Sequence, residues 1–586
     1  MNFTKTAIAT AVIASVIGLA GCNDNDDNTS PSVDTSNLKY VDPFIGTGFN
    51  GHTFPGPVVP EGMVQLSPDT ELIGWHSSSG YHFDKKTLFG FSHTHLSGTG
   101  MGGLGDILFL PFTEDKAKYI EDSDDYREAI SVKMDKTSEV AEAGYYSVKI
   151  AENGIKAELT ASERVGFHRY TYPQGQPQRL KIDLNSILNS DWGSTSLRNK
   201  LTVSEDGHTI TGERDAAHFS GWAKNQKIFF YATFDKKIKN VYILANGEPI
   251  DGLTAEHVSE LIYDDQGNPV KRVKADVTAY IEFEDEGSQE LNAQVALSAV
   301  DPQGAENAFY DWAIAQIAKA AGDTQAEEQY LERSKGYKKY FDYNPTEYAE
   351  HGVTGFMRPV MIDETFMTPF DPYGTEHETG NYTEGNAWQW TWFVPHDIAG
   401  LKTIMGGDAE FQKNLEATFT AESQGTETPD MSGLIGQVAF GNEPSHHIPY
   451  LFNWTAEPWK TQQVVDHILD DMYFAAPEGV IGNEDVGAMS AWYVMSALGF
   501  YQVNAAEPIY TVGRPLFDKA VIPVKGGTFT ITTENNADDN MYIKSVTING
   551  KALDNGFFFD HSEFKPGGEL HFVMTGDQSE AMKAPQ

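Results

Sequence analysis

Ala305-Glu306-Asn307-Ala308-Phe309-Tyr310-Asp311-Trp312-Ala313-Ile314-Ala315-Gln316-Ile317-Ala318-Lys319-Ala320 is where the pattern of the chain changes. Phe309, Trp312, Ala313, Ile317 and Ala320 recur three and four residues apart, which places them along one face of a helix. A charged segment from Thr324 to Tyr340 extends the helical pattern. On the N-terminal side, from Lys39 to Leu297, short runs rich in Val, Ile, Tyr, Phe and Thr alternate with turn residues, as in Tyr145–Ile150, Lys156–Thr160, Gly166–Tyr172 and Lys227–Phe234. That alternation predicts a large β-sandwich. On the C-terminal side, helices are predicted over Ala387–Met405, Ala409–Phe419, Glu457–Phe474 and Gly487–Leu498. Strands return at Thr528–Thr532, Tyr542–Ile548 and Glu569–Val573, with Asn549-Gly550 as a hairpin turn. The fold class is therefore multidomain β + α, with a sandwich over residues 37–304, a helical domain over 305–510 and a small C-terminal β-domain over 511–586.

The N-terminal end reads as an address rather than a fold. Lys5 precedes an apolar stretch from Ala7 to Ala20 that is too short for a permanent membrane span. The stretch ends Leu19-Ala20-Gly21-Cys22, the spacing at which a bacterial lipoprotein is cleaved and acylated, so residues 1–22 are expected to be a lipoprotein signal with Cys22 as the lipidation site. Residues 23–36, rich in Asn, Asp, Ser and Thr, cannot bury apolar surface and are expected to form a flexible tether. The expected location is the cell envelope, lipid-anchored at the outer membrane on its periplasmic or surface face, because Asn23 replaces the aspartate that often retains lipoproteins at the inner one. Cys22 is the only cysteine, so no intramolecular disulfide can form.

The formal charge of -42 argues against nucleic acid as a partner and against any membrane contact beyond the lipid anchor, since the long-range field repels both. The same charge also serves simply to keep the surface solvated.

Three acidic segments lie on loops of the helical region. In Asn381-Tyr382-Thr383-Glu384-Gly385-Asn386-Ala387-Trp388-Gln389-Trp390, Glu384 sits among aromatics at a helix entrance. Partial desolvation there would raise its pKa and make it a proton donor, with Trp388 and its neighbours stacking on a sugar. A helix-capping acid and ordinary core tryptophans explain the same pattern equally well. In Gly441-Asn442-Glu443-Pro444-Ser445-His446-His447, oxygen donors precede a proline able to begin a helix, which suits calcium. His446 and His447, adjacent on one helix, point about 100° apart and are poorly placed to share a zinc ion, though either suits a sugar hydroxyl. In Gly482-Asn483-Glu484-Asp485-Val486-Gly487, paired acids precede a helix, where they serve either as caps or as the second carboxylate of a hydrolase. The glycine-rich loop Gly90–Gly100 carries His93 and His95 at alternate positions but no evident third ligand and no phosphate-loop pattern.

These segments, together with Tyr40–Gly48, Gly80-Tyr81-His82 and Gly221-Trp222-Ala223, resemble glycoside hydrolase family 92, whose members are calcium-dependent exo-α-mannosidases. The resemblance implies a β-sandwich packed on an (α/α)6-type helical barrel, and hydrolysis of terminal α-linked mannose from mannose-containing glycans with inversion. It implies Glu384 as general acid and Asp485 as general base with Glu484 beside it. It also implies Ca2+ at the sugar 2- and 3-hydroxyls near Asn442, Glu443 and Asp485, and Trp75 and His93 as the first domain's contribution to the sugar pocket.

The chain departs from the family pattern in lacking its Trp-Asp-Thr motif, and in placing Glu61 where an aromatic is usual. A twelve-helix barrel needs roughly 300 residues at about 11 to 12 per helix plus loops, more than Ala305–Gln502 offers, so the barrel is expected to be incomplete. Besides an active α-mannosidase, the sequence accommodates a shortened member that binds mannosides without turnover. A surface adhesion protein is a third reading, but it leaves the ordered acidic motifs unexplained.

Overall fold

The computed structural model describes residues 37–583, except 61, 121–129, 163, 191–192, 218–225, 264–268, 286, 299–323, 325–327, 329–330, 333, 362, 376–380, 426–427, 429–430, 506 and 554–555. The expectations for the signal and tether with Cys22, for Glu61, for Gly221–Ala223 and for the helix through Ala320 fall outside the described residues. The chain divides into two compact units. One holds the residues up to Pro302 together with Ala475–Gly479 and Glu484–Val486, and the other holds the rest.

In the first unit two antiparallel sheets, of seven and ten strands, enclose one core. Strict alternation builds the larger sheet. In Val165–Thr171 the residues Gly166, His168 and Tyr170 are buried while their neighbours are half-buried, as a sheet with one covered face requires. Pairing aligns these positions across strands, so that Leu159, His168, Ala293 and Phe234 form one buried row and Ala157, Tyr170 and Leu291 the next. Such fully buried apolar side chains each contribute about 1.5–3 kcal/mol. The central strands of the smaller sheet, Leu108–Phe112, Arg179–Asp183 and Val277–Phe283, are buried on nearly every residue.

The buried row contains a polar chain. His93 Nδ1 faces the Ile107 carbonyl at 2.7 Å and must donate to it. His93 Nε2 then accepts from His168 Nε2 at 2.9 Å, and His168 Nδ1 accepts from the Tyr170 hydroxyl at 2.8 Å. Burial holds both rings neutral, with the His93 pKa lowered to about 4 and that of His168 well below its ordinary value.

In the second unit the expected helix from Ala387 to Met405 is two helices, Ala387–Trp390 and Ile398–Met405. Pro395 supplies no N–H and restricts Val394, and Asp397 starts the next helix by accepting from Gly400 N. Asp408–Thr420 buries Phe411, Asn414, Leu415 and Thr418, a stripe at helical spacing. With Trp459–Asp471 and Ala488–Ala497 these make four α-helices of eight residues or more among the described residues, against the twelve of a complete (α/α)6 barrel. No helix among the described residues is long and apolar enough to cross a membrane.

The C-terminal strands form a five-stranded sheet, and Asn549 and Gly550 take φ of 51° and 77° at its hairpin turn. A further three-stranded sheet draws in Phe500–Tyr501, ahead of the boundary expected at 511, because Phe500 packs into the same apolar core. Gln462 on helix Trp459–Asp471 accepts from Ile543 N at 2.8 Å, so helix and sheet belong to one unit.

The buried neutral histidines set a pH dependence. Unfolded histidine binds a proton near pH 6.5, while folded His93 resists protonation down to about 4. The unfolded state therefore binds more protons in that interval, and stability falls as pH drops from 6.5 toward 4. Thermal melts between pH 7.5 and 4.5, a range mostly above carboxylate titration, should show a falling midpoint; a flat midpoint would contradict the assignment.

Candidate active site

Glu384 lies on the turn before helix Ala387–Trp390. Asn386 caps that helix by accepting from Trp388 N, and Gln389 Oε1 accepts from Asn386 N at 2.8 Å, a reciprocal capping box. Gln437 locks the cap in place, its side-chain oxygen accepting from Asn386 Nδ2 at 3.1 Å and its carbonyl from Gln389 Nε2. Glu384 itself is half-buried with φ of 53°, a left-handed conformation that costs a non-glycine residue about 1–2 kcal/mol. Asn442 Nδ2 holds the turn by donating to Glu384 O at 3.1 Å and to Oε2 at 3.3 Å. The opposite end of the Asn442 amide accepts from Glu443 N at 3.2 Å, capping the short helix Glu443–Ser445.

The aromatics near Glu384 are differently disposed from expectation. Trp388 is 1% exposed and packs against Phe356 and Tyr373, so it forms core and cannot reach a sugar. The burial pattern of a four-residue helix, invisible in the sequence, decides this. Trp390, two residues on, is half-buried and donates from Nε1 to Thr383 O at 2.9 Å, lying beside the exposed Phe393. His446 and His447 are also buried. The first lies with Nε2 3.1 Å from Met489 Sδ, and the second donates from Nε2 to the Trp392 carbonyl at 2.7 Å. Burial lowers their pKa values to about 3 and about 4. The two rings face different partners, Met489 and Trp392, within the second unit.

The Gly482–Asn483 stretch touches the Gly441 turn in the second unit, where a Cβ on Gly482 would stand 2.3 Å from Gly441 O. The residues that follow, Glu484–Val486, belong to the first unit, although they fall inside the span expected to be wholly helical domain. Backbone bonds explain this. Glu484 N donates to Gly51 O at 3.1 Å, and Val486 N donates to Ser97 O at 2.8 Å. The approach is so close that a Cβ on Gly98 would sit 2.2 Å from Asp485 N. Glu484 is 6% exposed, Asp485 is half-buried, and Asp485 and Val486 take φ of 51° and 53°. Two consecutive left-handed residues, one of them β-branched, are strain of the kind that concentrates at functional sites.

Gly98 N also donates to His52 O at 2.8 Å, and the His52 ring meets Trp75 edge-on at 4.4 Å. Trp75 is half-buried and so remains available beside the acidic segment. His93 does not: it is wholly enclosed in the sandwich core with both ring nitrogens engaged. His52 escaped notice in the sequence, where only its position within the glycine-rich Gly46–Gly56 loop could have signalled it. Its ring is buried, its pKa is lowered to about 3 by desolvation and by His76 and His82, and its Nε2 has no partner among the described residues.

Among the described residues no group of three or more His, Cys, Asp or Glu gathers as a metal cluster. Asn442 and Glu443 offer amide and carboxylate oxygens on one turn of the second unit, an all-oxygen donor set of the type calcium takes.

Comparison with known proteins identifies this succession of β-sandwich, helical region and closing β-domain. Residues 40–298 match the glycosyl hydrolase family 92 N-terminal domain, and residues 280–576 match the glycosyl hydrolase family 92 catalytic domain. The chain belongs to glycosyl hydrolase family 92. Its fold is that of a family α-mannosidase from Bacteroides thetaiotaomicron solved in complex with mannoimidazole, with TM-score 0.79 at 23% identity over 94% of this chain and 96% of that one. An inverting mannosidase of the same family and organism superposes with TM-score 0.70 at 19% identity, over 95% of this chain and 100% of that one. An uncharacterized secreted glycosidase of Arthroderma benhamiae is 25% identical over 47% of this chain, and the alignment spans 35% of that relative.

Asn442 joins the Glu384 turn to the Glu443 cap, so Asn442→Ala should cost about 1 kcal/mol of unfolding free energy from the lost cap alone. Urea titration would measure it, and an unchanged midpoint would mean the amide holds nothing.

Proposed function

We propose that this chain is an exo-acting α-mannosidase that hydrolyses terminal α-linked mannose with inversion. The observation that supports it best is that the two motifs bearing carboxylates are each clamped in a left-handed, strained turn by dedicated hydrogen bonds, Glu384 by Asn442 and Glu484–Val486 by Gly51 and Ser97. Membership of the family and the mannosidase character of its solved relatives point to the same chemistry.

In this reading Glu384 donates its proton to the leaving glycosidic oxygen, and Asp485 takes a proton from the water that attacks the anomeric carbon from the opposite face. An inverting pair works with its carboxyl groups about 6.5–9.5 Å apart, leaving room for that water. Asn442 Nδ2 orients the Glu384 carboxyl, and the half-buried Trp75 offers a ring for the sugar's apolar face. Calcium, held through oxygens of Asn442, Glu443 and Asp485, would polarise the sugar 2- and 3-hydroxyls when bound. The protein's own residues orient and move the protons.

A specific observation favours a second reading. The described residues hold four helices of eight residues or more where a full barrel has twelve, so a member that binds mannosides without turnover is the alternative. One set of assays separates them. On a panel of α-linked mannosides the active enzyme releases mannose whose first-formed anomer, followed by proton NMR, is β. Glu384→Gln and Asp485→Asn should each cut turnover by about 10²–10⁴-fold, and chelation should lower both turnover and melting temperature. Calorimetric binding of mannosides by wild type without any product would instead select the second reading, and unaltered melting after chelation would remove calcium.

We further propose export and lipid anchoring through Cys22. The chain should sediment with envelope membranes when expressed in a bacterium. Cys22→Ala should move it to the soluble fraction, whereas equal partitioning of both forms would exclude the anchor.

A further inference from the structure

A groove of about 610 Å³ opens in the second unit, away from Glu384, between the entrance of helix Ile398–Met405 and the strands Ile509–Val512, Lys551–Ala552 and Phe558–Asp560. Its size falls in the range of small-ligand sites, about 300–1,000 Å³. One wall is aromatic: the rings of Trp454 and Phe558 lie 4.5 Å apart, inclined at 56°, and both are partly exposed.

A second wall carries an acceptor with nothing to accept from. His396 Nε2 lies 3.0 Å from the Ser334 carbonyl, so that nitrogen carries the proton and Nδ1 carries a lone pair. That Nδ1 is buried and has no partner among the described residues. Burial also lowers the ring's pKa, which keeps it neutral and accepting.

The rim bears the exposed carboxylates Glu507 and Glu563 and a single lysine, Lys551. A ligand that satisfies the rim and the aromatic wall must present several hydroxyl donors to carboxylates and an apolar C–H face to the rings. The acidic rim, within a chain of formal charge -42, turns away phosphates and other polyanions. Neutral saccharides have this combination.

We infer that the groove is a second carbohydrate-binding site for a neutral saccharide chain, separate from the Glu384 turn. That mannan is its ligand rests on the mannosidase reading above; the recognition of neutral saccharide does not. Such a site would raise the local concentration of polymer at the enzyme without taking part in proton transfer.

Affinity gel electrophoresis of the Glu384→Gln protein tests this, using gels with yeast α-mannan, starch or mixed-linkage β-glucan. Ala552 is exposed on the groove's edge strand, so Ala552→Trp should fill the groove without removing a core contact. The expected result is retardation by at least one polysaccharide, weakened threefold or more by Ala552→Trp and likewise by Glu507→Ala, with melting temperatures matching the parent. Retardation unchanged by either variant, or no retardation in any gel, overturns the proposal. Retardation by starch or β-glucan but not mannan, relieved by the same variants, keeps the site and removes mannan as its ligand. Failure of wild type to release mannose from any α-mannoside would bear on the mannosidase reading alone.

Discussion

Two peptide hydrogen bonds, from Glu484 N to Gly51 O and from Val486 N to Ser97 O, hold the late acidic segment on the glycine-rich loops of the first unit. Much else depends on them. They require Gly98, since any side chain there would collide with the Asp485 backbone. They also accompany the left-handed turns at Asp485 and Val486. Strain of about 1–2 kcal/mol per residue persists only where neighbouring contacts over-determine the backbone, and here the paired bonds supply that determination. The paired bonds thus fix the backbone that carries the Glu484 and Asp485 carboxylates.

The second unit solves the same problem with side chains. Asn442 divides its amide between two jobs, its nitrogen on the Glu384 turn and its oxygen on the Glu443 cap. The Asn386–Gln389 box and Gln437 brace the helix behind. Every amide in this network has both ends used, which braces the turn. The absence of cysteine pairs places the whole burden of stability on such networks and on the apolar cores.

The histidines show how burial redistributes apparent function. His93, His446 and His447 lie in motifs rich in glycine and acid, and in the sequence they read as ligands or sugar contacts. Each is enclosed, with its pKa lowered by desolvation; His93 and His447 donate to carbonyls, and His446 Nε2 lies against Met489 Sδ. Trp388 follows the same rule, and Trp390 and Trp75 are the tryptophans left with exposed surface beside the acids.

The sequence by itself determined the succession of sandwich, helices and closing sheet, because the period of apolar residues is a local property. It also singled out the acidic motifs, whose glycines, amides and carboxylates occur together in short stretches. It misjudged the helix through Pro395 only by leaving out a local rule. Which side of each element faces inward, and which distant loop receives the Glu484–Val486 segment, were decided only by the tertiary structure. Those outcomes depend on close packing between backbones far apart in the chain, a Cβ too many at Gly98 or a carbonyl placed at Gly51, and no local period records them.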